Sequence, residues 1–175
     1  MKLLFDEYVI RDWQDEDLSA LVKYANNKKI ALNLRDGFPH PYTRADAKTF
    51  IARAKRSNPK TMFAIASSDE AIGSIGLLLG TDVHRFTAEF GYWLAEPFWS
   101  KGIMTKAISV FTEFAFKTFN LNRLYAEPYA NNHASARVLE KAGFIREAVL
   151  RANVVKEEKI LDQFLYAQVR IPQEK

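Results

Sequence analysis

No cysteine occurs among the 175 residues, and that one absence removes disulfides, thiolate metal ligands and a cysteine nucleophile together. It fits a reducing compartment, and any acyl transfer by this chain must proceed without an acyl-cysteine. Long hydrophobic runs are missing as well. The longest uncharged apolar stretch, Ala71 to Gly80, has about half the length of a membrane span and contains three glycines. Met1 to Trp13 contains Asp6, Glu7, Arg11 and Asp12, so no apolar signal-peptide core can be drawn through it. The expected location is therefore cytoplasmic, with no membrane partner. The three histidines, His40, His84 and His133, lack the spacing and the carboxylate company of a metal site, and there is no G-x-S-x-G elbow. No metal and no serine nucleophile are expected. Both nucleotide fingerprints are absent too, because no G-x-x-x-x-G-K-[ST] occurs and Gly102 stands alone where G-x-G-x-x-G would need three glycines.

What is present is enough apolar material for one substantial core: 48% of the residues are hydrophobic. A chain of this length is expected to form a single domain over residues 1–175. The net charge of +4 suits acidic partners or the phosphates of a cofactor. It is modest for a nucleic-acid binder, which would also need a basic face interleaved with exposed aromatics, and most aromatics here fall at core periodicity. Nucleic acid is not the expected partner.

In chain order, Leu3 to Trp13 has strand character, and Asp15-Glu16-Asp17 offers first-turn acids to a helix through Leu18, Leu21, Val22 and Ala25. A shorter broken helix follows over Asn26 to Leu34, then a loop over Arg35 to Pro41. Tyr42 to Asp46 reads as the cap and first turn of another helix, which Asn58-Pro59 ends. Met62 to Ala66 and Ala71 to Leu79 read as a hairpin. In the next strand, Phe86 to Leu94, the even positions are apolar, which puts Glu89 on the other face with Thr87, Gly91 and Trp93. A long helix carries Met104, Ala107, Ile108, Phe111 and Phe119 at helical spacing. Arg123 to Tyr129 is a further strand whose pairing should fail near Pro128, which has no N–H to donate. Asn131 to Phe144 reads as a helix with Gly143 just past its end. Ile145 to Arg151 and Ile160 to Arg170 read as two strands joined by a polar turn over Asn153 to Lys159.

The chain is organised around Phe98-Trp99-Ser100-Lys101-Gly102-Ile103-Met104-Thr105-Lys106, where strand periodicity gives way to the long helix. A helix start carries unpaired N–H groups and a partial positive charge, and a glycine there lets the backbone approach an anion such as a pyrophosphate. This order of strand, basic Gly-containing turn and helix resembles the acetyl-coenzyme A loop of the GNAT acetyltransferase family, Arg/Gln-x-x-Gly-x-Gly/Ala. Trp99 takes the Arg/Gln place, Gly102 the first Gly and Met104 the final Gly/Ala. Trp99-Ser100-Lys101-Gly102-Ile103 is similar to the loop of the branch that resembles ribosomal-protein N-terminal acetyltransferases. Asn131-Asn132-His133-Ala134-Ser135 through Leu139-Glu140-Lys141-Ala142-Gly143-Phe144 resembles the Asn-x-x-Ser-x-x-x-Leu-Glu-Lys-x-Gly-Phe segment of the same family. Phe38 to Thr43 resembles the stretch that flanks the acceptor pocket in that branch, and Asp162 and Tyr166 stand as in the family's tail.

The resemblance implies an α/β (α+β) fold: a mixed, mostly antiparallel twisted sheet whose central parallel pair, through Glu89 and Tyr125, splays apart, with helices on both faces. It implies acetyl-CoA as co-substrate and direct transfer of the acetyl group to a primary amine. A protein or peptide α-amine is the acceptor the branch points to. Polyamines, amino acids and amine antibiotics are alternatives, and so is a non-catalytic module that only binds coenzyme A. A homodimer is compatible with all of these. Cofactor contacts would come from Trp93, Leu94, Trp99, Ser100, Lys101, Gly102, Ile103, Met104, Thr105, Asn131 and Arg137, with N–H groups near Trp93-Leu94 polarising the thioester carbonyl. Glu89 would serve as base, directly or through water, or else be a surface carboxylate paired with Arg85 or Arg123. Ser135 would protonate or steady the departing thiolate. Asn131 would bond the pantetheine, or else cap its helix.

Overall fold

Phe5 pairs with Tyr8 across only Asp6 and Glu7, so the opening stretch is not one strand but a hairpin of β1 (Lys2–Phe5) and β2 (Tyr8–Asp12). Asp6 turns the chain at φ +46°, a left-handed conformation that Asp tolerates better than most residues. No Gly or Pro announces it. In this computed structural model residues 1–170 are described, and the chain divides into two compact units. The first comprises Met1–Gly76 and Gly91–Ile103; the second comprises Leu77–Phe90 and the chain from Met104 on.

In the first unit, β2 leads into a short 3-10 turn, Asp15–Asp17, and α1 (Leu18–Ala25). Arg11 grips Asp17 with two guanidinium bonds of 2.7 Å each, and Asp17 also accepts from the N–H of Gln14 at 2.9 Å. That is how a carboxylate only 4% exposed keeps its charge satisfied. After α2 (Lys28–Ala31), α3 (Arg44–Arg56) begins at a capping box in which Thr43 accepts from Asp46 N–H and Asp46 accepts from Thr43 N–H. Trp13, Leu21, Ala25, Tyr42, Ala47, Ile51 and Ala54 form the core under these helices. β3 (Met62–Ala66) pairs antiparallel with β2 and with β4 (Ala71–Leu79).

β4 and β5 (Thr87–Leu94) each run from one unit into the other. In the second unit, α4 (Ile103–Phe119) is the crossover that lets β6 (Arg123–Ala126) lie parallel to β5, since parallel neighbours cannot be joined by a tight turn. α5 (His133–Lys141) follows, and Gly143 at φ +86° terminates it as expected. β7 (Ile145–Lys156) is longer than the sequence suggested, and β8 (Lys159–Val169) lies one residue earlier than expected. Only Glu157 and Glu158 separate them, both at positive φ (44° and 62°), the geometry of a tight two-residue hairpin loop that Asn-Gly normally signals. The strands of the sheet lie in the order β1-β2-β3-β4-β5-β6-β8-β7, mixed and mostly antiparallel, with β5 and β6 parallel.

Tyr166 on β8 is fully buried, and its hydroxyl donates to Glu140 Oε1 on α5 at 2.7 Å. Burial first, and the Glu140 carboxylate second, push the phenol from 10.0 up to about 12. The neutral phenol is thus favoured by folding: its contribution is fully present below pH 10 and is lost as pH rises toward 12. Tyr166→Phe should cost about 1 kcal/mol, a melting shift of roughly 2–4 °C at this size. It should also flatten the alkaline loss of stability, measured by denaturant melts between pH 8 and 11.

Candidate active site

β5 ends at Leu94, and past Ala95 the chain leaves the ladder and is anchored largely by side chains. Glu96, in the 3-10 turn Glu96–Phe98, accepts from Asn27 Nδ2 at 2.7 Å and from the Lys29 ammonium. Lys29, with Asn27, holds the Glu96 carboxyl below its ordinary value. Asn27 does double duty, because its Oδ1 caps α2 by accepting from Lys29 N–H. Phe98 meets Tyr24 edge to face with ring centroids 6.0 Å apart. Trp99, although 39% exposed, donates its indole N–H to the carbonyl of Leu94 at 2.6 Å. Trp99 thus closes the loop back onto the strand end.

Beyond that staple, Ser100 (φ +61°) and Gly102 (φ +77°) are both left-handed. Left-handed residues alternating with an ordinary one turn successive N–H groups toward a common point, a concavity suited to anions. Ser100, Lys101 and Gly102 are exposed, and a Cβ built on Gly102 would meet no atom within 4 Å. The loop therefore has room for a pyrophosphate against its backbone. Ile103 and Met104 differ from the expectation in one respect: their side chains are buried in the core, so only their N–H groups are left to face a ligand. Thr105 is half-buried, and its carbonyl accepts from Ser109 Oγ at 3.0 Å.

The register of β5 sorts its backbone groups. Gly80 N–H donates to Thr87 O and Ala95 N–H donates to Ile72 O, each at 2.8 Å. Both bonds fit one antiparallel register, so odd-numbered residues of β5 turn their N–H and C=O toward β4 and even-numbered ones turn away. Of the expected pair, Leu94 points its N–H away from β4 and Trp93 points it toward β4. Trp93 offers its ring instead, packed at 6.1 Å against Phe38, which in turn meets Tyr42 at 5.0 Å.

In the second unit, the β5–β6 ladder pairs Thr87 with Arg123, Ala88 with Leu124 and Glu89 with Tyr125, and there it stops. The chain after β6 stays with β8: Gln163 Nε2 donates to Glu127 O at 2.7 Å, Phe164 N–H to Pro128 O at 3.0 Å, and Ala130 N–H to Asp162 O at 2.9 Å. The expected failure of pairing thus occurs, three residues before Pro128. Half-buried Glu89 sits at the last rung. Of the two arginines offered to it as ion-pair partners, Arg123 is engaged by both carboxylate oxygens of Glu147, and Arg85 donates to Asp82 O and lies over the Phe86 ring.

α5 corrects the capping expectation. Asn132, not Asn131, is the cap, accepting from Ser135 N–H at 3.1 Å, because the helix starts at His133. Asn131 is exposed in the preceding turn, its side chain not spent on the cap. Ser135 is half-buried in the first turn and Arg137 is exposed. Two positions apart on a helix, they point about 200° away from each other; the structure does not bring them to one face. Sequence reasoning missed Gln163 and the Asn27–Glu96 anchor, which act by position and carry no motif. Among the described residues, no group of three or more His, Cys, Asp or Glu is placed to hold a metal ion, and no helix is long and apolar enough to cross a membrane.

Residues 8–145 match the family described as acetyltransferase (GNAT) domain. The chain belongs to the GNAT family. Across 170 residues it is 28% identical to the uncharacterized N-acetyltransferase YnaD of Bacillus subtilis, covering 95% of this chain and 92% of that one. It is 31% identical over 108 residues to the ribosomal-protein-serine acetyltransferase of Escherichia coli, covering 62% and 60% of the two chains. The spermidine N-acetyltransferase of Vibrio cholerae, solved with coenzyme A and spermine, superposes with a TM-score of 0.78 at 19% identity over 93% of this chain and 95% of that one. This GNAT protein is thus an acetyl-CoA-dependent N-acetyltransferase that acts on an amine.

For the Ser100–Gly102 loop, expected to hold the phosphates of acetyl-CoA, the outcome of one substitution is specific. Gly102→Val adds a branched side chain into the space in front of the loop and strains a left-handed residue by about 1–2 kcal/mol. Acetyl-CoA affinity measured by calorimetry should fall at least tenfold, while the protein stays folded by circular dichroism. Normal binding by this variant would place the phosphate site elsewhere.

Proposed function

We propose that this enzyme acetylates the α-amine of a protein or peptide, with Glu89 as the base. The observation that carries the reading is the position of Glu89 at the last rung of the parallel ladder, on the β5 face that also holds Trp93. The likeness to the ribosomal-protein-serine acetyltransferase supports the acceptor class. A polyamine is the second reading, favoured by the likeness to the spermidine enzyme. An α-amine has a pKa near 7.7–8.0 and is partly neutral at pH 7, whereas an amine near 10.4 is almost wholly protonated. A single half-buried carboxylate is adequate help for the first and weak help for the second.

In this reading the whole chain, residues 1–175, works as one acetyltransferase domain in the cytoplasm. The backbone of Ser100 to Thr105 and the Lys101 side chain hold the pyrophosphate, Trp99 keeps their loop folded, and the outward N–H of Leu94 bonds the thioester arm, with Trp93 beside it. Asn131 and Arg137 bind the pantetheine and nucleotide portions. The amine nitrogen attacks the thioester carbonyl carbon; the C–N bond forms, the C–S bond breaks, and the amine's proton goes to Glu89, directly or through one water. Ser135 supplies a hydrogen bond or proton to the departing thiolate sulfur and is reprotonated from solvent. Catalysis is then mainly positioning of two bound reactants.

Glu89→Gln keeps the shape and removes the proton acceptor. General base help is typically worth about 10²- to 10⁴-fold, so kcat at pH 7 should drop at least a hundredfold while acetyl-CoA affinity is unchanged. The deficit should shrink at high pH for an acceptor of low pKa, where the amine deprotonates unaided, and shrink less for an ε-amine. Near-wild-type activity at pH 7 would mean that solvent takes the proton.

Ser135→Ala should lower kcat more than it raises the dissociation constant of acetyl-CoA, because its hydroxyl matters most once charge builds on sulfur. Equal losses in both quantities would make it a binding or helix residue.

A further inference from the structure

Of the three glycines inside β4 and β5, two are dictated by crowding. A Cβ on Gly73 would lie 2.5 Å from the Trp93 carbonyl oxygen, and one on Gly76 would lie 2.8 Å from that of Thr61. Gly91 is different. It is exposed, its φ is not positive, and a Cβ there would meet nothing within 4 Å. Neither the backbone nor the packing requires glycine at this place, and glycine in a strand interior costs about 0.5–1 kcal/mol relative to a residue with a side chain. Such a position marks close approach by something outside the fold.

The face on which the gap opens identifies what approaches. By strand alternation Gly91 shares its face with Glu89 and Trp93, its neighbours two residues away on either side. Four residues of strand make Glu89 and Trp93 about 13 Å apart along β5. On the far side the face is walled by the Trp93 ring, which meets Phe38 edge to face, with Tyr42 packed on Phe38 in turn, all in the first unit. A thioester arm bonded to outward N–H groups of β5 lies along the strand edge, in the plane of the sheet. Gly91, an odd-numbered residue, turns its N–H toward β4 and offers that arm nothing. Its missing side chain opens perpendicular to the edge, beside the carboxylate assigned to the amine.

We infer that the bare backbone at Gly91 is the floor of the acceptor slot: it receives the part of the acceptor immediately beyond the reacting amine, and its lack of a side chain sets how bulky that part can be. For a peptide acceptor this part is the first residue's side chain, bounded by the Trp93–Phe38 wall. The inference rests on Glu89 facing the amine.

The test is a graded series, Gly91→Ala and Gly91→Val, assayed with acetyl-CoA and four acceptors: tetrapeptides with free α-amines beginning with Gly, Ser or Leu, and spermidine. Since the added atoms meet open space and Val suits a strand, both variants should melt at or above the wild-type temperature. The dissociation constant of acetyl-CoA should be unchanged. Acceptor kcat/KM should fall by about 10- to 200-fold at Val, mostly through KM, with Ala intermediate and the loss growing from the Gly-led to the Leu-led peptide. Constants within twofold of wild type on every acceptor would overturn the inference, as would a loss of acetyl-CoA affinity with acceptor KM unchanged. Failure of the base assignment is separable: a fully active Glu89→Gln beside a raised acceptor KM in Gly91→Val removes the base and keeps the slot. Wild-type transfer to spermidine and to no peptide would refute the α-amine acceptor, and the spermidine KM of Gly91→Val would then decide the slot. Transfer to none of the four would overturn both.

Discussion

The constraint on which the rest depends is the hold of β8 on the chain that leaves β6. Three bonds, from Gln163, Phe164 and Ala130, keep residues 127–130 on β8, while the ladder between β6 and β5 ends at the Glu89–Tyr125 rung. Gln163 is 4% exposed and is itself held by Asn153 Nδ2 at 2.6 Å, which makes this commitment part of the packed core and not a surface accident. Backbone N–H and C=O groups that lose a strand partner must find another. In the proposed reading, the amides along the flexible arm of the co-substrate meet that demand.

The loop between β5 and α4 shows how a short segment without a ladder is made rigid. Glu96 is pinned by Asn27 and Lys29, Phe98 by Tyr24, and the Trp99 indole by the Leu94 carbonyl. Each contact alone is modest, and the exposed ion pair especially so. Together they leave Ser100 and Gly102 to adopt left-handed conformations in front of α4, where the helix N-terminus favours negative charge. The Trp in the place where the family carries Arg or Gln is therefore structural in this chain: its indole N–H ties the loop back to the Leu94 carbonyl, and in the proposed reading the loop N–H groups hold the phosphates.

Likeness to solved GNAT structures at about a fifth sequence identity extends over nearly the whole chain, and at that level it concerns the fold. In the proposed reading, what distinguishes one acceptor from another is carried by side chains on the face of β5 and in the Phe38 to Tyr42 stretch. These can change without disturbing the ladder, the crossover or the cap of α5. A glycine at position 91 is one such choice, costly to the strand and informative for that reason.

The sequence by itself determined the helices and strands with clear periodicity. β3, β4 and the end of α5 at Gly143 coincide with their expected places, because apolar spacing and glycine punctuation are local signals. It determined the family as well, through the Trp99 to Ile103 loop and the Asn131 to Phe144 segment. It misread the β1–β2 turn and the β7–β8 loop, where Asp6, Glu157 and Glu158 take left-handed conformations that no glycine announces. It also left open whether Asn131 bonds the pantetheine or caps α5, and the cap proves to be Asn132, because the helix starts at His133. Only the tertiary structure decided which N–H groups of β5 turn outward, that Ile103 and Met104 are core, and that Gly91 faces open space while Gly73 and Gly76 face carbonyls. Those distinctions depend on register and on neighbours far away in the chain, and a residue's type records its own preferences without recording what stands across from it.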